Sequence, residues 1–247
     1  MLRRFFLTSG RPFRTAAGAA AFLAVATVGA LAQRAPGIFV TPIPNAPFTG
    51  TVLVQRSFIQ HNGTFSVFKS MRVIARDSHG RIHNEARELV PLSSTVTPQV
   101  LRIHLYDPQT RVSTMLYPQQ RMFRTGMVSH PPETEPPGLQ YASPAGSNLP
   151  LSQYTKEEDL GTHEMDGLQV HGVRETQKIP AAGGTGKAVV VTDEYWYSDY
   201  LHINVVIKHI DPRAGSRIET VTQISQDEPD PSLFAIPAGY KQVGVVQ

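Results

Sequence analysis

From residue 51 to residue 225 apolar and polar residues alternate along short runs, and each run ends in a turn signal. Period two sends successive side chains to opposite faces of a strand, whereas a helix needs a period of 3.6. No segment holds helical periodicity for about 12 residues, so the chain reads as all-β. Val52, Val54 and Phe58 mark the first run, residues 51–60. Asn62-Gly63 follows and predicts a two-residue hairpin with positive φ at both positions. The same residues form the sequon Asn62-Gly63-Thr64, which the turn reading makes unnecessary.

Further runs are expected over 65–76, 81–90, 100–106, 111–117, 121–124, 154–164, 168–179, 187–197, 201–210 and 216–225. Their punctuation is Asp77-Ser78-His79-Gly80, Asp107-Pro108, Pro118-Gln119-Gln120, Met165-Asp166-Gly167, Gly183-Gly184-Thr185-Gly186 and Asp211-Pro212. Asp followed by Pro suits the first two positions of a type I turn. Asp230-Pro231 predicts one short capped helical turn near the C-terminal end. Roughly ten strands in chain order imply an antiparallel meander. A twisted sheet of that length curls, so the expected architecture is an unclosed half-barrel with an apolar concave side.

Three prolines between Pro42 and Pro47, after Pro36, make residues 33–50 an extended lead-in before a single half-barrel domain at 51–247. A second Pro-rich stretch, residues 127–150, cannot continue a sheet ladder. It is expected either as a flap across the mouth of the half-barrel, with Leu139 and Tyr141 as apolar points, or as a plain loop joining two strands.

Residues 1–32 read as a cleaved signal peptide. Arg3, Arg4, Arg11 and Arg14 precede the apolar run 16–29, and Ala30-Leu31-Ala32 offers a small-x-small cleavage site. The run is too short for a permanent span of a bilayer core of ~30 Å. Arg3-Arg4-Phe5-Phe6-Leu7 also matches the core of a twin-arginine signal, leaving two export routes open. The expected location is periplasmic or secreted, with no stable membrane anchor after cleavage.

The whole-chain charge of +3 belongs to this segment: removing its four arginines leaves 19 bases against 20 acids. A near-neutral domain excludes nucleic acid as its natural partner. Absence of cysteine excludes disulfides, thiolate catalysis and Cys-ligated metal. The nine histidines do not form a metal pattern: His163-Glu164 lies on a strand, and His202 and His209 fall on opposite strand faces. Lys187 after Gly186 lacks the glycine spacing and following hydroxyl of a phosphate loop. No nucleophile elbow appears, so no catalytic residue, metal or cofactor is expected. The most unusual local composition is Tyr195-Trp196-Tyr197, where Trp196 either fills the core or offers a platform to a ligand.

Three strings together resemble a bacterial group. They are Glu194-Tyr195-Trp196-Tyr197-Ser198 with the Asp211-Pro212-x-x-Gly215 turn, the ending from Glu228 through Pro231-Ser232-Leu233-Phe234 to Tyr240, and the Asp107-Pro108 hairpin leading to Leu116-Tyr117-Pro118. The chain is similar over residues 50–242 to exported bacterial proteins of unknown function related to the lipoprotein-localisation carrier (outer-membrane lipoprotein-sorting) superfamily. That resemblance implies an eleven-stranded unclosed barrel holding a lipid or acyl chain, without covalent chemistry. This chain lacks the helix-rich lid of those carriers. The expected function is an exported binding module for a lipid or other hydrophobic ligand, with Tyr195, Trp196, Tyr197, Leu139 and Tyr141 as ligand-binding residues. The alternative is an envelope scaffold that holds a protein partner through sheet edges and the Pro-rich loop.

Overall fold

The computed structural model describes residues 37–60, 62–128, 155–180 and 187–245. The signal segment 1–32, the flap residues 129–150 with Leu139 and Tyr141, and the loop 183–186 lie outside the described residues. Thirteen strands form one sheet: β1 Phe48–Ile59, β2 Phe65–Arg76, β3 Ile82–Arg87, β4 Val90–Pro91, β5 Val100–Asp107, β6 Val112–Tyr117 and β7 Met122–Met127, then β8 Thr155–Met165, β9 Leu168–Ile179, β10 Val189–Ser198, β11 Ile203–Asp211, β12 Gly215–Ser225 and β13 Lys241–Val245. The sheet is antiparallel apart from the β13–β7 pair, and it is not closed. The architecture is the all-β, unclosed half-barrel that the alternation predicts.

Spatial order departs from chain order at the centre of the sheet, at the β13–β7 edge and at β4. Two meanders, β1 to β7 and β8 to β12, meet where β1 pairs with β12, so the first and twelfth strands are central neighbours. β1 begins at Phe48, inside the stretch expected as lead-in, because the ladder to Arg76 on β2 already starts there. The run 81–90 is divided. β3 ends at Arg87, and β4 returns to pair with Phe68 and Lys69 of β2, so β2 and β3 splay apart beyond Ile74.

Turn chemistry follows the residues closely. Asp166 and Gly167 take φ 48° and 74° between Met165 and Leu168, a two-residue hairpin of the mirror-image type. At Asn62-Gly63, Gly63 has positive φ, 79°. There the Asn62 side chain accepts from the Thr64 N–H, which makes the loop wider than the predicted two residues. Asp230 accepts from the Ser232 N–H and caps the 3-10 turn Pro231–Phe234, as expected.

Paired residues share a face, so the register sorts the side chains. One face carries Phe48, Val52, Ile74, Ile82, Tyr195, Ile207 and Val221, all buried. Ile38 and Val40 of the lead-in join the same core cluster, as does Leu201 from the β10–β11 turn. Each such side chain contributes ~1.5–3 kcal/mol on burial. Arg76 is fully buried in this layer and donates at 2.8 Å to the carbonyls of Thr41, Ala46 and Leu201. It thereby ties the lead-in and the β10–β11 turn to β2.

Candidate functional site

The opposite face is less covered. Leu53 on β1, Met71 on β2 and Ile218 on β12 point to it as cross-strand neighbours, with Gln55, Lys69 and Thr220 beside them. The connection after β4 adds Leu92 and Val96 to the same wall, and the groove so formed has a volume of about 840 Å³. Leu53 is 48% exposed and Val96 66%, although both are large and apolar. Backbone bonds shape the connection: the Leu92 N–H donates to Val67 O and the Ser94 N–H to Pro91 O. A groove of this size and lining, with a few polar groups, suits a small apolar ligand.

The aromatic triplet lies elsewhere. Tyr195 is buried in the core layer, and Tyr197 is half-buried, edge-on to the His202 ring at 6.5 Å. Trp196 faces the other way. Its ring covers Gly172 of β9, meets His163 edge-on at 4.8 Å, and its N–H donates to Glu194 at 2.9 Å. None of the three lines the groove around Leu53. The groove residues were partly readable from the sequence. Leu53 is apolar at the opposite parity to Val52 and Val54, the mark of a strand with apolar groups on both faces.

Long-range pairing also assembles charges that look unrelated in sequence. Glu157, Glu175, Asp193, His209, Arg217 and Arg56 occupy successive strands in one cross-strand row. Asp193 receives His209 at 2.6 Å and raises its pKa, while burial and the neighbouring Asp193 and Glu157 raise that of Glu175. On the other face Glu194 accepts from Lys208, Arg174 and Trp196. Burial pushes Glu194 up, but these donors hold it at about 2. Asp77, His79 and Glu228 bring three possible ligand atoms within 4.8 Å of one another. Their oxygens are already engaged by Arg81 and Ser78. These groups form structural pairs, not a nucleophile with its base.

Sheet and groove together define a class: an unclosed antiparallel half-barrel with an apolar groove over its central strands. No protein family and no curated protein matches the chain. Solved structures similar to it include that of MucB, at 11% identity and TM-score 0.39, covering 80% of this chain and 59% of that one. A LolA superfamily protein, NE2245 from Nitrosomonas europaea, is similar at 9% identity and TM-score 0.29, covering 79% of this chain and 92% of its own. LprF from Mycobacterium bovis is similar at 13% identity and TM-score 0.29, covering 76% and 90%. This chain therefore spans less than two thirds of MucB. Among the described residues no helix is long and apolar enough to cross a membrane.

Proposed function

We propose that the chain is an exported binding module that holds a lipid or other hydrophobic ligand in the groove over β12, β1 and β2, without covalent chemistry. The observation that carries this reading is the gathering of Leu53, Met71, Leu92, Val96 and Ile218 around one cavity of about 840 Å³. Exposed apolar surface of this kind is costly in water unless it is used. Export rests on the signal-like residues 1–32, and the single half-barrel domain at 51–247 is part of the same reading. Tyr195, Trp196 and Tyr197 act here as supports of the sheet. Scaffold use through sheet edges has weaker support: the edge strand β8 carries Lys156, Glu157, Glu158 and Asp159 and an irregularity between Asp159 and Gly161. Charges and bulges are what keep an edge from pairing with another chain.

Fluorescence titration with a fatty acid bearing an environment-sensitive dye tests the proposal. Wild type is expected to bind saturably, and Leu53→Glu or Ile218→Glu to lose at least tenfold, about 1.4 kcal/mol. Equal binding by wild type and both variants, or no saturable binding by delipidated wild type, would overturn it.

A further inference from the structure

A second groove, of about 610 Å³, lies where β2 and β3 part. It is lined by Arg56, Arg72, Arg87, Arg102, Arg217 and His104. These basic side chains come from five strands, β1, β2, β3, β5 and β12, which only the fold brings together. Two carboxylates, Glu85 and Glu219, stand against the five guanidiniums.

Both carboxylates are already supplied with donors. Glu219 is almost wholly buried and accepts from the Ile38 N–H at 2.9 Å, from Arg72 at 3.2 Å and from Arg217 Nε at 2.9 Å. Glu85 accepts from Arg87 at 2.8 Å and from the Val73 N–H at 3.1 Å. Arg102 is exposed at the groove, and its side chain has no hydrogen-bond or ion-pair partner among the described residues. Like charges gathered in a half-buried site repel one another. Burial lowers the pKa of Arg72; Glu219 opposes that shift, and the Arg217 charge adds to it. Burial and the Arg102 charge do the same to His104. A bound anion would relieve that repulsion.

We propose that this groove is an anion site for a phosphate-bearing compound. Guanidinium groups bind phosphate oxygens through paired N–H donors, and charge-assisted bonds of this kind are stronger than neutral ones. Phe39, Leu89 and Met115 complete the lining and give room to an apolar or organic portion beside the phosphate. The phosphate is either that of a lipid headgroup or that of a free phosphorylated compound, since both present the same oxygens. The basic side chains of this site are all outside the Leu53 groove, with which it shares only Val54 and Ser70, and the proposal does not depend on a ligand there.

Two binding measurements on the full chain, calorimetry and vesicle cosedimentation, decide the matter. One arm titrates inorganic pyrophosphate at low salt; the other measures cosedimentation with phosphatidylcholine vesicles, with and without phosphatidylglycerol. Binding in the first arm identifies a free phosphate compound, and binding in the second arm only, and only with the anionic lipid, identifies a headgroup. In whichever arm binds, Arg102→Ala is expected to weaken binding roughly fivefold or more, with Arg102→Lys in between. Lys241→Ala, outside the groove lining, is expected to leave it unchanged, and fatty-acid binding is read in a separate titration, so failure here is distinguishable from failure of the hydrophobic-ligand reading. His104 offers a second readout, because its imidazole resonances should titrate at higher pH when the anion is bound. No binding in either arm, or equal binding by wild type and Arg102→Ala with His104 unmoved, would overturn the proposal.

Discussion

Arg76→Met removes the guanidinium and keeps most of the aliphatic volume, so it isolates what the charge does. Pro42, Pro44 and Pro47 leave the lead-in short of N–H donors, and its carbonyls turn inward. Arg76 is the donor-only side chain that meets them. Its three bonds at 2.8 Å end on Thr41, Ala46 and Leu201, and its guanidinium stands 5.1 Å over the Phe48 ring. Burial lowers its pKa to about 10, with Tyr197 opposing, so it is charged at neutral pH. Three charge-assisted bonds at ~1.5–3 kcal/mol each give a gross loss of about 4.5–9 kcal/mol. Removing a buried charge returns several kcal/mol of desolvation, so the net expected loss is about 3–5 kcal/mol. Urea unfolding followed by Trp196, the sole tryptophan, should then show a midpoint lower by on the order of 1–2 M. Arg76→Lys is expected to fall between the two, since an ammonium cannot point donors at three carbonyls in one plane. Hydrogen exchange in residues 41–46 should accelerate in both variants. A loss below ~1 kcal/mol for Arg76→Met would refute the claim that this residue pins the lead-in.

Gly172→Ala places a Cβ about 2.6 Å from the Trp196 ring, so the ring must shift. The expected cost is ~1–3 kcal/mol, with a change in tryptophan emission and no change in ligand binding at the Leu53 groove. His209 has its pKa raised above 6.5 by the Asp193 hydrogen bond, so its contribution is fully present below about 6.5 and is lost as pH rises through the raised value. A stability profile of His209→Gln should lack that decline, and an unchanged profile would count against the pairing. Glu194, held at about 2 against an ordinary 4.5, works in the other direction: its contribution is present above 4.5 and is lost as pH falls toward 2. Glu194→Gln is expected to flatten the acid limb of the unfolding curve.

The alternation over residues 51–225 carries most of the strands, because period two is a local property and Asp-Pro and Asp-Gly turns are encoded in two adjacent residues. Pairing partners were not readable. Val52 meets Val221 across the centre of the sheet, and nothing local distinguishes that pairing from Val52 with a strand of the same hairpin group. The groove suffered most from this. Leu53, Met71 and Ile218 are ordinary apolar positions until β12, β1 and β2 stand side by side, and Arg56, Arg102 and Arg217 are ordinary surface charges until β5 and β12 bring them to one face. Tyr195-Trp196-Tyr197 shows the same limit. An aromatic run is conspicuous in composition, yet a half-buried strand consumes such residues as packing, and here Gly172 leaves the space that Trp196 fills.

The order of strands also says why the proposed ligand site would sit at the middle of this sheet and not at its margins. β1 and β2 are each 12 residues long and pair over their full length, and β1 pairs with β12 from Thr49 to Phe58 with one irregularity between Thr49 and Thr51. These central strands hold their side chains most rigidly, whereas β4 is two residues and β13 five. One face of the centre is taken: Ile38 and Val40 cover it, and Glu219 and Arg72 hold the lead-in backbone at Ile38. Covering that face fixes the strands from behind and leaves Leu53 and Ile218 presented on the other. A site on rigid strands keeps its shape without paying ordering entropy when a ligand arrives. On the proposed reading, loosening the lead-in through Arg76 should broaden the Leu53 groove and weaken fatty-acid binding there, although Arg76 is not among the residues that line it.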